Sequence, residues 1–122
     1  MEMFLKKFEP VGIMGLAFWE NGFRHITTSK KSVNQPGDMK GLKIRVPDAP
    51  LYTMFPRAVA ANPTPIAFAE VYLALQNGTV DGMLAGMPVL TPMKFYDVAK
   101  DVTEIHPSIV TSIQVVNRKW FE

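Results

Sequence analysis

Gly41-Leu-Lys-Ile-Arg-Val-Pro47, followed by Asn62-Pro-Thr-Pro-Ile66, Phe68-Ala-Glu-Val-Tyr-Leu-Ala-Leu-Gln76 and Val80-Asp-Gly82, carries the architecture of this chain. The first piece is a short apolar run stopped by proline, which reads as a strand over residues 42–46. The second is a short strand over 63–67. The third reads as an amphipathic helix over residues 68–77, with Gly78 just past its end. A further strand follows over 80–84. Strands alternating with helices at these lengths predict an α/β unit with a mostly parallel mixed sheet and helices on both faces.

Working outward, Pro50 suits the first turn of a helix over 50–61 that Pro56 would kink. Residues 34–38 form a turn cluster, with Asp38 as a cap for a short helical turn. Residues 11–18 are apolar and glycine-interrupted, as in a buried strand, and 23–28 alternate as a second strand. Residues 3–8 read as the end of a helix that Pro10 stops. Beyond the central block, 88–99 read as one or two helical pieces, 102–105 and 109–117 as strands, and Trp120 as the opening of a new element. No internal repeat or low-complexity tract is present.

Arg45 is the residue most in need of a partner. Its guanidinium offers five donors in a planar fork, stays charged at any working pH, and matches a carboxylate bidentately. Near the end of a half-buried strand it is satisfied either by an acidic side chain of the fold or by an anionic ligand.

Composition narrows the classes. The chain has 122 residues, 13 lysines and arginines against 11 acids, and a formal charge of +2. That length suits one domain. The charge is too mild to argue for nucleic acid or an anionic membrane. Without cysteine there is no disulfide, thiolate metal site or cysteine nucleophile. His25 and His106 lack the third nitrogen or thiolate of a metal set; His25 reads as a hinge or structural residue, with ligand contact as the other reading. Glu70 and Asp81 do not read as paired carboxylates for acid–base work: Glu70 falls in a first helical turn, where the dipole favours a carboxylate, and Asp81 precedes a glycine in a turn. No nucleophile–base pair or phosphate loop appears, so neither an enzyme nor a cofactor is expected. No apolar run is long enough to span a membrane, and residues 1–11 lack a signal-peptide pattern.

In order and spacing, Trp19-Glu-Asn-Gly-Phe-Arg-His25, Asp38-Met-Lys-Gly-Leu-Lys-Ile-Arg-Val-Pro47, Asn62-Pro-Thr-Pro-Ile66, Phe68 to Gln76, Val80-Asp-Gly82 and Lys94-Phe-Tyr96 resemble the DctP-like solute-binding proteins of TRAP (tripartite ATP-independent periplasmic) transporters. The resemblance runs from about Gly12 to Glu122. It implies a three-layer lobe of the type II periplasmic-binding-protein fold, a small organic acid as solute, membrane permease subunits as partners, and a periplasmic location for the full-length protein. It also implies that Arg45 holds the acid's carboxylate. Arg24 resembles a second arginine near the ligand, although a hinge role bonded to backbone is equally open. Phe68 resembles the aromatic that covers the ligand, although an ordinary core role is also open.

The departure from the family lies after Val80-Asp-Gly82. Ala85 stands where the family commonly has a ligand-bonding asparagine, which implies a more apolar pocket and a less polar monocarboxylate than C4-dicarboxylates or sialic acid. Family members are more than twice as long, so the chain is expected to be a fragment. Residues 1–21 are expected as a remnant of the other lobe, 22–117 as one substrate-binding lobe with two crossing strands, and 118–122 as the start of a truncated helix. The alternative is a truncated stand-alone domain that binds no solute and self-associates through its exposed inter-lobe surface, as a homo-oligomer or strand-exchanged dimer.

Overall fold

Prolines and glycines punctuate this chain densely enough that most of its elements are short. The computed structural model describes residues 2–122; Met1, part of the expected 1–21 remnant, lies outside the described residues. Helix α1 (Glu2–Leu5) runs into a 3-10 stretch, Lys6–Val11, which ends at Gly12 with φ +74°. Strand β1 (Ile13–Phe23) is followed by β2 (His25–Thr28), a 3-10 turn (Pro36–Met39) and β3 (Lys43–Val46). Then come α2 (Pro50–Ala58), β4 (Asn62–Pro65), a 3-10 turn (Phe68–Glu70), α3 (Val71–Gln76), β5 (Gly82–Ala85) and α4 (Met87–Leu90). A 3-10 turn (Phe95–Asp97), β6 (Asp101–Thr103), β7 (Ile109–Asn117) and α5 (Arg118–Phe121) complete the order.

The described residues fall into two units. One joins residues 2–22 to Ile109–Glu122, and its β1 and β7 form a two-stranded sheet. Within it the Asn21 amide donates to Ser112 Oγ at 2.7 Å.

The other unit, Phe23–Ser108, contains a five-stranded sheet in the order β4-β3-β5-β2-β6. β3 pairs parallel with β4 and β5, whereas β2 pairs antiparallel with β5 and β6. Four strands thus run one way and β2 alone runs against them, as a mostly parallel mixed sheet requires.

Side-chain alternation along β5 puts a core on each face of this sheet. Met83 and Ala85 join Val71, Ala74, Leu75, Leu90 and Phe95 on the α3–α4 face. Leu84 packs on the other, with Ile26, Met39, Ile44 and Phe55 of α2. This is the three-layer α/β arrangement with helices on both faces. Close packing of β5 against β2 is possible because Gly82 has no side chain: a Cβ there would stand 2.5 Å from the Thr27 carbonyl oxygen.

Candidate functional site at one end of the sheet

Topology gathers the candidate residues. β3 and β5 are parallel, so Arg45 and Ala85 lie toward their carboxyl ends, while antiparallel β2 brings its first residue, His25, to the same end. Arg24 precedes β2, and Phe68 follows β4. In open α/β sheets this is where ligands bind, because loops there can vary while the strands hold position.

Arg45 is nearly buried, at 9% exposure. Its Nε donates to the Ile66 carbonyl oxygen at 2.9 Å, which aims the fork, and its Cζ lies 5.7 Å from the centre of the Phe68 ring. Among the described residues it makes no ion pair. Burial lowers its pKa from the ordinary arginine value, and the charge of Arg24 adds to the effect. The guanidinium remains charged, so both influences describe a cation held where a cation is disfavoured.

Arg24 has a different neighbour. Its Cζ sits 4.7 Å over the Tyr52 ring on α2, and its backbone N–H donates to Ser108 at 3.0 Å. Its charge bears on Arg45, but its side chain stacks on an aromatic from a different helix than those around Phe68.

Phe68 is half exposed, at 44%. It meets Phe95 edge to face at 6.1 Å, and Tyr72 lies 6.2 Å from the same ring. Phe95 itself is buried in the core that also holds Ala85. Arg45 therefore stands beside Phe68, which touches Phe95, and Phe95 shares its core with Ala85. Tyr52, Tyr72 and Phe95 were given no site role from sequence, although Tyr72 and Phe95 fall in stretches that carry the family resemblance.

Glu70 and Asp81 do not meet. Glu70 is exposed at the end of its 3-10 turn. Asp81 accepts from the Lys43 N–H at 2.9 Å and from Lys30 Nζ at 3.2 Å. Its burial works against ionisation, but these two groups outweigh it and hold the carboxyl below its ordinary value. Asp81 thus ties the start of β3 to the loop after β2. Among the described residues no three His, Asp or Glu side chains gather as a metal set, and no helix is long and apolar enough to cross a membrane. A cavity of about 340 Å³ lies on the sheet's other face, lined by residues such as Ile26, Met39, Phe55 and Ile105. No lysine or arginine lines it.

The family model for bacterial extracellular solute-binding protein, family 7 (DctP), matches residues 1–122. The 2,3-diketo-L-gulonate-binding periplasmic protein YiaO of Escherichia coli is 37% identical over 114 residues, covering 93% of this chain and 35% of that protein. A TRAP periplasmic solute-binding protein from Ralstonia eutropha, solved with bound (S)-2-acetolactate, superposes with a TM-score of 0.89 at 36% identity, over 97% of this chain and 38% of that one. Another from a Sulfitobacter species, with bound β-D-galacturonate, gives 0.90 at 31% identity, over 98% and 40%. The chain thus spans 35% to 40% of the length of these relatives.

Proposed function

The chain belongs to the bacterial extracellular solute-binding proteins of family 7, and from that premise we propose that it captures a small monocarboxylate for a TRAP-type transporter, with Arg45 as the carboxylate's partner. Proteins of this family bind solutes for transport and are not enzymes.

One observation carries the residue-level reading. Arg45 is buried, aimed by Ile66, walled by Phe68 and without an acidic partner among the described residues. A desolvated charge left unpaired is strongly unfavourable, and a carboxylate seated on the fork relieves it with two charge-assisted hydrogen bonds. The acids named for the three relatives each carry one carboxylate, which supports the same class of solute here. Phe68 covers the bound acid and excludes water, while Arg24 adds positive potential from the Tyr52 side. Ala85 offers no polar group, which keeps its part of the pocket apolar. Residues 22–117 act as one solute-binding lobe, working in the periplasm with the membrane permease subunits.

A second reading has its own observation. In the unit of residues 2–22 and Ile109–Glu122, Leu16, Trp19, Ile109 and Val115 are 43% to 59% exposed. An apolar two-stranded ribbon of this kind favours self-association.

Calorimetry on the natural polypeptide that contains this chain tests the first reading, using 2-acetolactate, galacturonate and 2,3-diketogulonate as titrants. Arg45→Ala is expected to weaken the acid that binds by about 100-fold, the scale of two charge-assisted hydrogen bonds. Arg45→Lys should also lose at least about tenfold, because an ammonium cannot reproduce the fork. Unchanged affinity in Arg45→Ala rules out the carboxylate role.

A further inference from the structure

Two buried polar side-chain atoms have no hydrogen-bond partner among the described residues, His25 Nδ1 and Thr27 Oγ1. They stand two residues apart on β2, so both side chains leave the sheet on one face. Directly opposed residues of paired strands also share a face. The register sets His25 against Ala85 and Thr27 against Met83, and Met83 beside Arg45. His25, Ala85 and Arg45 therefore occupy one surface, at the end where β3 and β5 finish and β2 begins. Two strand spacings across and two residues along place the His25 and Arg45 Cα atoms about 12 Å apart. That separation is on the scale of a small acid of a few carbons.

Both atoms are buried. The residues that carry them differ: Thr27 is 0% exposed, whereas His25 keeps 8% exposure. The His25 ring is held by an edge-to-face contact with His106 at 5.7 Å, and His106 in turn packs on Phe23 at 4.6 Å. An imidazole oriented by its neighbours, nearly buried and lacking a partner is poised to bond whatever enters.

We propose that His25 is the solute's second anchor: its Nδ1 hydrogen-bonds a hydroxyl or keto oxygen on the body of the acid whose carboxylate Arg45 holds. The inference rests on that reading of Arg45. Ala85 supplies space, and the polar contact it cannot make comes from its cross-strand partner. A neutral imidazole donates from one nitrogen and accepts at the other, so Nδ1 serves a keto oxygen as donor and a hydroxyl as donor or acceptor. The solute is then a hydroxy- or keto-monocarboxylate, and the His25–Ala85 pair sets the discrimination against its deoxygenated analogue.

The test compares acids of equal length, 2-hydroxybutyrate and 2-oxobutyrate against butyrate, by calorimetry on the natural polypeptide containing this chain. The parent is expected to prefer the oxygenated acids by at least about tenfold. In His25→Phe that preference should collapse through weaker binding of the oxygenated acids, with butyrate within about twofold of the parent. His25→Asn, whose amide lies near the Nδ1 position, should keep part of it. The ring ¹⁵N signal of His25, identified by its loss in His25→Asn, should shift with 2-hydroxybutyrate and not with butyrate. This readout on the parent stands even if His25→Phe does not fold.

An undiminished preference in His25→Phe, equal losses for all three acids, or an unshifted ¹⁵N signal at saturating 2-hydroxybutyrate overturns the role of His25. Those outcomes leave the Arg45 reading intact. If none of the acids binds the parent, or if Arg45→Ala binds them as the parent does, the Arg45 reading fails and the His25 proposal falls with it.

Discussion

Phe68 and Phe95 touch edge to face yet sit in different environments, 44% and 2% exposed. Phe95→Ala removes a ring from the core shared with Leu75, Met83 and Leu90 and should destabilise the fold by about 3–5 kcal/mol. Phe68→Ala removes a half-exposed wall over Arg45 and should cost only about 1 kcal/mol of stability while weakening acid binding by roughly tenfold. Denaturant melts and calorimetry on both variants separate these roles; equal stability losses would count against Phe68 as a wall. Arg45 was legible because a charged fork in an apolar strand demands a partner. The unsatisfied state of His25 was not, since its neighbour Arg24 shares the same stretch and nothing in the local pattern says which of the two is buried. That depends on the pairing of β2 with β5, two segments more than fifty residues apart in the chain. The sequence signal available was the alternation His25, Thr27 against Ile26, Thr28, which separates the two faces without saying which one meets the solute.

Elements were legible where the chain supplies its own punctuation. β3 follows from the apolar run before Pro47, and β7 appears over the expected residues, 109–117. The helix expected over 68–77 begins instead as a 3-10 turn and becomes α-helical only at Val71, the first residue of the segment buried in the core. The helix expected to reach 61 stops at Ala58, and Ala60 adopts φ +56°. The Gly41 N–H bonds that residue's carbonyl and Ala61 turns into the core, so tertiary contacts end the helix without a glycine. The strand expected over 23–28 is divided at Arg24, just after Gly22 at φ +77°. The strand expected from 80 starts at Gly82, because Val80 bonds back to Ala74 and Asp81 caps β3.

That Asp81 contact predicts an acid response. Its folded pKa lies below the unfolded one, so its stabilisation is present above pH of about 4 and is lost as pH falls through the lowered folded value. Asp81→Asn should destabilise at neutral pH by roughly 1–2 kcal/mol and flatten the acid limb of the stability curve, measured by urea melts between pH 7 and 3. An unchanged acid limb would remove Asp81 from that role.

At the scale of the whole chain, the two units differ in what protects their backbone. β5 is flanked on both sides within a five-stranded sheet, whereas β1 and β7 make a two-stranded ribbon with exposed apolar residues, an arrangement of marginal stability. Amide exchange on the isolated 122-residue chain should therefore show slow exchange for Met83 and Ile44 and faster exchange along β1 and β7. Sedimentation of the same chain should show association that grows with concentration; a monomer throughout, with equal protection of both sheets, would contradict the account. The isolated chain should bind monocarboxylates at about millimolar Kd or weaker, because it spans little more than a third of relatives whose solutes were seen bound to far longer chains.

The concentration of Arg45, His25, Phe68 and Ala85 at one end of the sheet leaves the other end free for engineering. The turn over residues 76–79 is mostly exposed and remote from those residues along every strand, so a peptide epitope or fluorescent label inserted there would report on the protein without perturbing capture. Because the chain has no cysteine of its own, a single thiol introduced near Phe68 would take an environment-sensitive dye at one position within it. The same geometry that assembles the site thus separates a reporting end from an anchoring end, the layout of a solute biosensor.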